Sequence, residues 1–195
     1  VTEQEENRLD IVSNMFYDTP KYCFNDFIPD RKDSLTLLIC ENKDIWFNIR
    51  KMMFEYDKFT LFNVKVDGVI YGNGNQISEA SALTEYTRFL GVNTVKYLYW
   101  GDLDKEGLDI FVRVKEYNPT LSIALFTPAY LEMLRLADGR EIPSSEDNRK
   151  HNTDYEEVLE DFGEYKQIAI ASLESNKRLP QEIVTFKVLK EVMDK

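Results

Sequence analysis

The chain has 195 residues, enough for one domain with a sizeable core, and its 43% hydrophobic and 30% charged residues are typical of a globular protein. Its apolar stretches are strand-sized and no secretory leader is recognisable, so we expect no membrane segment. The net charge of −11 comes from residues 1–35 (eight acids, four bases) and residues 138–164 (ten acids, three bases), while the remainder carries 17 of each. Nucleic-acid binders usually carry the opposite sign, so any DNA contact must come from a local patch, bound metal or another part of the protein.

Short apolar runs alternate with segments of helical period between residues 35 and 137. The predicted strands are 35–40, 68–71, 94–100 and 121–126, with a further β-rich stretch at 62–66. The predicted helices are 45–56, 78–90, 105–117 and 127–136, and Ser78 is the expected N-cap of the second. Strands separated by helices predict an α/β fold with an open parallel sheet, and the order 2-1-3-4 makes the first and third of the four main strands neighbours.

The remaining chain, residues 138–195, predicts a helical extension packed on this core. Its polar loop, 138–152, contains the only histidine, His151, which we expect to be solvated. Thr153 and Glu156 have the spacing of a capping box that opens a long helix, and Pro180 marks the start of a last helix. We therefore divide the chain into a leading segment (1–34), an α/β core (35–137) and the extension (138–195).

The ends and the cysteines of the chain give two further expectations. Val1 is not a methionine, so we interpret residues 1–34 as the end of a missing N-terminal region. Cys23 and Cys40 lack the spacing of a metal site, and Cys40 ends an apolar run, which favours a buried thiol. The chain therefore predicts no disulfide scaffold and a reducing, cytoplasmic environment.

Acidic residues directly follow two of the predicted strands. Glu41 comes after the strand 35–40, and Asp102 and Asp104 come after the strand 94–100. Ligands of open α/β sheets bind beyond the carboxyl ends of the strands, so these three side chains are expected to converge. Oxygen donors without a nearby histidine or cysteine favour Mg²⁺ over Zn²⁺, and a cation would relieve their mutual repulsion.

Spacing by itself leaves other interpretations open. An Asp-x-Asp pair at the start of a helix is often an N-cap beside a solvated acid. Some phosphatases carry the pair after their first strand, and some glycosyltransferases use it to hold a nucleotide sugar.

Three segments resemble the motifs of a known family. Residues 37–42 (LLICEN) resemble the first motif of Toprim domains, and residues 99–107 (YWGDLDKEG) resemble the second. Within that fold the sequence is most similar to the C-terminal domain of the Wadjet subunit JetD, a relative of the topoisomerase VI A subunit. Residues 179–182 (LPQE) are similar to a Gln-Glu motif near the C-terminus of that family, so the resemblance spans residues 35–190.

The resemblance implies a fold and an activity. Toprim domains bind Mg²⁺ and act on phosphodiester bonds, and JetD works with a condensin-like ATPase complex in the cleavage of plasmid DNA. The chain is then expected to be an endonuclease subunit of a Wadjet-type plasmid defence system, dependent on Mg²⁺ or Mn²⁺. Its expected partners are double-stranded DNA and the condensin-like ATPase complex, and a homodimer is a further expected assembly.

The same resemblance assigns roles to single residues. Glu41 would be a metal ligand or the general acid/base, Asp102 and Asp104 would be catalytic metal ligands, and Glu182 would be a fourth acid for the metal. Lys43 and Lys105 follow the two acidic motifs. They are candidates for contact with DNA phosphate, although surface lysines are the simpler interpretation.

The sequence also departs from the topoisomerase pattern. No winged-helix domain is recognisable, and none of the eleven tyrosines can be singled out as a nucleophile. Hydrolysis by metal-activated water is therefore favoured over a covalent tyrosyl intermediate. Two rivals stay open: a Toprim-fold interaction module without catalysis, and another Toprim nuclease or topoisomerase-like phosphodiester enzyme.

Overall fold

A five-stranded sheet forms the centre of the fold in the computed structural model, which describes residues 24–146, 149 and 151–193. Its strands are β1 (Asn25–Phe27), β2 (Ser34–Cys40), β5 (Gly68–Tyr71), β6 (Thr94–Trp100) and β7 (Ser122–Leu125). A separate two-stranded hairpin contains β3 (Thr60–Leu61) and β4 (Val64–Lys65).

The strand order is β1-β5-β2-β6-β7, and all neighbours except β1 and β5 are parallel. The predicted order 2-1-3-4 is confirmed for the four parallel strands. The sequence did not predict β1, an antiparallel edge strand from the leading segment. Residues 62–66, predicted as one strand, are interrupted because Phe62 and Asn63 adopt left-handed backbone angles and turn the chain.

Seven α-helices surround the sheet in the described part of the chain. They are α1 (Lys43–Tyr56), α2 (Ala82–Leu90), α3 (Lys105–Tyr117), α4 (Thr127–Ala137), α5 (Tyr155–Val158), α6 (Lys166–Glu174) and α7 (Phe186–Met193), with short 3₁₀ turns at Gly74–Gln76, Glu160–Tyr165 and Gln181–Ile183. The crossovers through α1 and α2 run in opposite directions along the sheet, so right-handed connections put these helices on opposite faces. None of the described helices has the length and apolar character to cross a membrane.

The two central strands are apolar on both faces because both faces are covered. Four consecutive side chains at the end of β2 and three near the end of β6 have no solvent exposure: Leu37, Leu38, Ile39, Cys40, Tyr97, Tyr99 and Trp100. Cys40 is therefore the buried thiol that the sequence predicted, whereas Cys23 lies outside the described residues. Burial of each large apolar side chain contributes about 1.5–3 kcal/mol, so the ends of β2 and β6 are held rigidly.

The start of α2 differs from the prediction. Ser78 is not the N-cap: its hydroxyl donates to the carbonyl of Asn75 and it is buried in the turn before the helix. Ser81 occupies the cap position with a left-handed backbone, and the helix begins at Ala82. The helix ends as predicted at Gly91, whose φ of 66° suits glycine.

The C-terminal extension contains shorter helices than the sequence indicated. The capping box is wrong, because Asp154 caps α5 and the Thr153 hydroxyl donates to Asp109 instead. The predicted long helix breaks at Gly163, which has a positive φ. Pro180 precedes only a 3₁₀ turn, and the last helix begins at Phe186.

His151 is also not solvated. Its side chain is 5% exposed and Nδ1 lies 2.5 Å from Oδ2 of Asp109. The expectation failed because a polar loop sequence gives no sign that α3 offers the histidine a half-buried carboxylate.

Candidate functional site

Neighbouring strands bring the predicted acids to one edge of the sheet. Cys40 and Trp100 are register partners at the ends of β2 and β6, and the backbone N–H of Glu41 donates to the carbonyl of Trp100 over 3.0 Å. Asp102 and Asp104 follow in the next turn of chain. The structure therefore brings the three carboxylates together at the carboxyl ends of two adjacent parallel strands.

Glu41 is held against a buried tyrosine. Its Oε2 accepts a hydrogen bond from the hydroxyl of Tyr99 at 2.7 Å, and the Tyr99 ring has no solvent exposure. Burial is the main cause of a raised pKa of Glu41, the Tyr99 bond opposes the shift, and the charges of Asp102 and Asp104 add to it, so that the pKa is about 7. The carboxyl group is therefore poised to exchange a proton near neutral pH.

Gly101 leaves room for that carboxyl group. A Cβ atom at this position would overlap Oε2 of Glu41 and lie 3.0 Å from the hydroxyl oxygen of Tyr99. The Gly101 backbone N–H donates to the hydroxyl of buried Tyr130 at 2.9 Å, which fixes the chain where it leaves β6. The glycine is thus required by close approach, not by a special backbone angle.

Asp102 accepts three hydrogen bonds from the C-terminal extension. Its Oδ1 accepts the backbone N–H of Gln181 at 2.7 Å. Its Oδ2 accepts from Arg178 through Nε at 2.8 Å and through Nη2 at 2.6 Å. The carboxylate is 17% exposed, so this ion pair lies at the rim of the site.

Asp104 caps a helix, and its carboxyl group is buried. Its side chain caps α3, because Oδ1 accepts the N–H of Gly107 at 2.8 Å, and Oδ2 lies 3.8 Å from Nε of Arg178. The residue is only 6% exposed, and this burial raises the pKa of its carboxyl group. Gly107 admits the close turn, since a Cβ there would lie 2.5 Å from the carbonyl oxygen of Asp102.

Residues 178–182, which we call the bridging segment, connect the two acidic motifs. Leu179 exchanges two backbone hydrogen bonds with Leu103, at 2.9 and 3.1 Å, between the two aspartates. On the other side, Oε1 of Gln181 accepts the backbone N–H of Asn42 at 3.0 Å, and Nδ2 of Asn42 donates to Oε1 of Glu182 at 2.6 Å. The predicted fourth acid, Glu182, therefore contacts the first motif through Asn42.

Sequence reasoning missed Arg178 and Gln181. Gln181 is fully buried, and its Nε2 has no hydrogen-bond partner among the described residues, although its Oε1 is bonded. The resemblance of residues 179–182 to a Gln-Glu motif pointed to Gln181 as well, but a role was predicted only for the acid of that motif, Glu182. No local pattern marks Arg178, which meets the acids only through the tertiary fold.

The donors suit a hard divalent cation, but they are not arranged around one. All four predicted ligands are carboxylates, and the pKa of Glu41 is raised first by burial and then by the nearby charges of Asp102 and Asp104, which a cation would offset. Within residues 24–146, 149 and 151–193, however, no group of three or more His, Cys, Asp or Glu side chains has a geometry suited to a metal ion. The cause is visible in the contacts: Asp102 faces Arg178 and Gln181, and Asp104 faces the start of α3.

The two candidate lysines lie at the same edge. Lys43 is the first residue of α1 and is exposed, while Lys105 is the first residue of α3 and is half-buried. Both helices begin directly after an acidic motif, so their positive N-terminal ends also point toward this edge.

A cavity of about 830 Å³ lies beside the edge strand β7 and α3. None of the three predicted acids lines it, and its own lining contains seven acids and three bases. That charge disfavours a phosphate ligand, so the sheet edge is the better candidate site.

A comparison with protein families gives a match that covers all three motifs named above, at residues 37–42, 99–107 and 179–182. Residues 32–193 match the family model described as Wadjet protein JetD, C-terminal. A search of curated proteins gives no match.

Proposed function

Since the chain belongs to the family of JetD C-terminal regions, it is a component of the Wadjet defence system, and we propose that it carries that system's metal-dependent nuclease centre. The observation that carries the proposal is the convergence of Glu41, Asp102 and Asp104 at the ends of β2 and β6. A central parallel sheet with acids at these positions agrees with a Toprim-type fold.

Mg²⁺ or Mn²⁺ is the cofactor that this donor set favours. Glu41, Asp102 and Asp104 would hold it, with Glu182 as a further acid close by. When bound, such an ion polarises a phosphodiester and lowers the pKa of a coordinated water.

Glu41 is the residue suited to proton transfer. In the metal-free chain, a pKa of about 7 lets its carboxyl group accept or release a proton near neutral pH. Tyr99 keeps its own proton, because burial raises its pKa well above the usual range, and it orients Oε2 of Glu41. Burial has the same effect on the pKa of Tyr130. Both tyrosines therefore stay protonated, Tyr99 as a donor to Glu41 and Tyr130 as an acceptor from Gly101, which favours hydrolysis by water over a covalent step at either residue.

Contact with DNA depends on more than this chain. Lys43 and Lys105 are the proposed phosphate contacts at the site edge, but the chain carries a net charge of −11. Phosphate neutralisation by basic residues dominates DNA affinity, so the chain by itself should bind duplex DNA weakly. Wadjet membership implies a multi-subunit complex, and we propose that its condensin-like ATPase part delivers the plasmid DNA.

One observation favours a catalytically silent interaction module instead. Arg178 neutralises Asp102, so the acids are already partly compensated without a metal ion. A module that only docks partners would keep this ion pair as structure. The two functions differ in whether Glu41 is needed for cleavage.

The deciding experiment is plasmid cleavage by the complete Wadjet assembly that contains this chain. We expect cutting to require Mg²⁺ or Mn²⁺ and to fall by about 10²-fold or more on Glu41→Gln, since the variant keeps the shape but loses the proton carrier. Glu79→Gln, at an exposed acid outside the site, is the matched control and should cut like the parent. Undiminished cutting by the Glu41→Gln assembly would contradict the nuclease proposal.

A further inference from the structure

Arg178 occupies the space beside Asp102 that a metal ion would need in order to coordinate this carboxylate. Two of its guanidinium nitrogens converge on one oxygen, Oδ2, at 2.8 and 2.6 Å, and Nε also lies 3.8 Å from Oδ2 of Asp104. We propose that Arg178 is an internal counter-ion, which a divalent cation displaces from Asp102 when it enters the site. The inference rests on the proposed function, because it assumes that the cation binds at these acids.

The contacts of Asp102 explain why a cation would compete with Arg178 for Oδ2. Its other oxygen, Oδ1, already accepts the backbone N–H of Gln181, so the carboxylate has three donors in all. A coordinating oxygen must turn a lone pair toward the cation. The backbone bond from Gln181 is fixed by the fold, so the side-chain partner is the one that can leave.

Arg178 can leave without disturbing the fold. Its backbone is fixed by its N–H, which donates to the carbonyl of Pro143 at 3.0 Å, and by the paired backbone of Leu179 next to it. Its side chain is 53% exposed, so the guanidinium can rotate into solvent and stay hydrated. The exchange therefore needs side-chain torsions only, while the bridging segment keeps its place.

Charge explains why the arginine is there at all. Glu41, Asp102 and Asp104 would otherwise face one another as uncompensated acids in a partly buried site, which costs stability. Arg178 supplies one positive charge in the absence of metal, and a divalent cation supplies two. The two cations compete for one carboxylate, so each must weaken the binding of the other.

The first test measures Mn²⁺ affinity of this chain near neutral pH, from the free Mn²⁺ signal in electron paramagnetic resonance. Arg178→Gln should bind Mn²⁺ about tenfold more tightly than the parent, a change of about 1.4 kcal/mol. Lys177→Gln is the matched control, because it removes the same charge one residue away, where the ammonium contacts Ser144 at 3.4 Å. It should change the affinity by less than about threefold, since its ammonium contacts Ser144 and does not compete with the cation for an oxygen of Asp102. Equal or weaker binding by Arg178→Gln overturns the inference.

A second test uses the unaltered chain. The Nε–H nuclear magnetic resonance signal of Arg178, identified by its loss in Arg178→Lys, should move toward that of a free arginine as Mg²⁺ saturates the site. An Nε–H signal that stays in place at saturating Mg²⁺ overturns the inference. This readout involves no destabilising substitution.

Failure of the proposed function has a different signature. Asp104→Asn should weaken Mn²⁺ binding strongly while keeping α3 capped, because asparagine is an equally good N-cap. If Asp104→Asn and Glu41→Gln both bind Mn²⁺ like the parent, or if the parent binds none, the metal site itself is wrong and the counter-ion inference falls with it. If both variants bind Mn²⁺ more weakly than the parent while Arg178→Gln binds it no more tightly, only the proposed role of Arg178 is wrong.

Discussion

The hydroxyl of Tyr99, near the end of β6, donates a hydrogen bond of 2.7 Å to Oε2 of Glu41, the residue that directly follows β2. Because the tyrosine is fully buried, the bond cannot be replaced by water without moving the ring. It is the contact that fixes the direction of the glutamate, and it stabilises the charged form of a carboxyl group that burial disfavours.

Tyr99→Phe should therefore raise the pKa of Glu41 above its present value of about 7. The variant removes the one hydrogen bond that lowers this pKa and leaves the burial unchanged. The measurement is the pH midpoint of the Glu41 carboxyl carbon resonance in metal-free buffer. Tyr97→Phe is the control, since it removes a buried hydroxyl from the same strand whose partner is Thr87. Equal midpoints in the parent and in Tyr99→Phe would show that the bond does not act on the glutamate.

Gly101→Ala should displace the Glu41 carboxyl group, because the added Cβ occupies the position of its Oε2. We expect Mn²⁺ affinity to fall by about tenfold or more, or about 1.4 kcal/mol. The effect should largely vanish in a Glu41→Gln background, where that oxygen no longer contributes to binding. A loss of equal size in both backgrounds would mean that the alanine acts on the backbone of the second motif, not on the glutamate.

Asn42 has two separable roles, which a pair of variants can divide. Its Oδ1 caps α1 by accepting the N–H groups of Asp44 and Ile45, at 2.9 and 3.0 Å, while its Nδ2 donates to Glu182. Asn42→Ala should lower the free energy of unfolding by about 1 kcal/mol, since it removes the cap. Asn42→Ser keeps a capping oxygen and loses only the exposed bond to Glu182, so urea denaturation should find it close to the parent. If the serine variant is as unstable as the alanine variant, the cap is not the main contribution.

Glu41 should make the metal-free chain less stable as pH rises from 4.5 to about 7. Below the ordinary glutamate pKa of 4.5, Glu41 is protonated in both folded and unfolded chains. Between pH 4.5 and about 7 the unfolded chain loses this proton while the folded chain retains it, so the free energy of unfolding declines. The decline has a ceiling of about 3 kcal/mol and ends once the folded group also ionises.

Glu41→Gln is the test of that pH dependence. The amide resembles the protonated acid and does not titrate. The free energy of unfolding of the variant should therefore increase relative to that of the parent as pH rises from 4.5 to about 7, and the difference should then stay constant. Urea denaturation in the presence of a chelator, at several pH values, measures the difference. A constant difference at all pH values would mean that Glu41 titrates in the folded chain as it does in the unfolded one.

Sequence predicted the parallel sheet because the relevant signals are local and repeated, and the order 2-1-3-4 was the simplest one that makes the strands before the acids neighbours. Runs such as residues 37–40 are apolar at every position, which only a strand covered on both faces satisfies. The acids that follow two such runs then had to share an edge once the strands became neighbours. The positions of Glu41, Asp102 and Asp104 were therefore predictable, although their roles in metal binding and catalysis stay predictions.

Only the tertiary structure decided what those acids touch. Arg178 and Gln181 lie about eighty positions from Asp102 along the chain, and a contact at that separation leaves no mark in local spacing or periodicity. The same is true of His151, which the sequence assigned to solvent and the fold buries against Asp109. Local patterns fix which residues end a strand, because backbone and burial preferences act over a few positions. The partners of a polar group depend on which distant segment closes over it, and that is settled only when the whole chain packs.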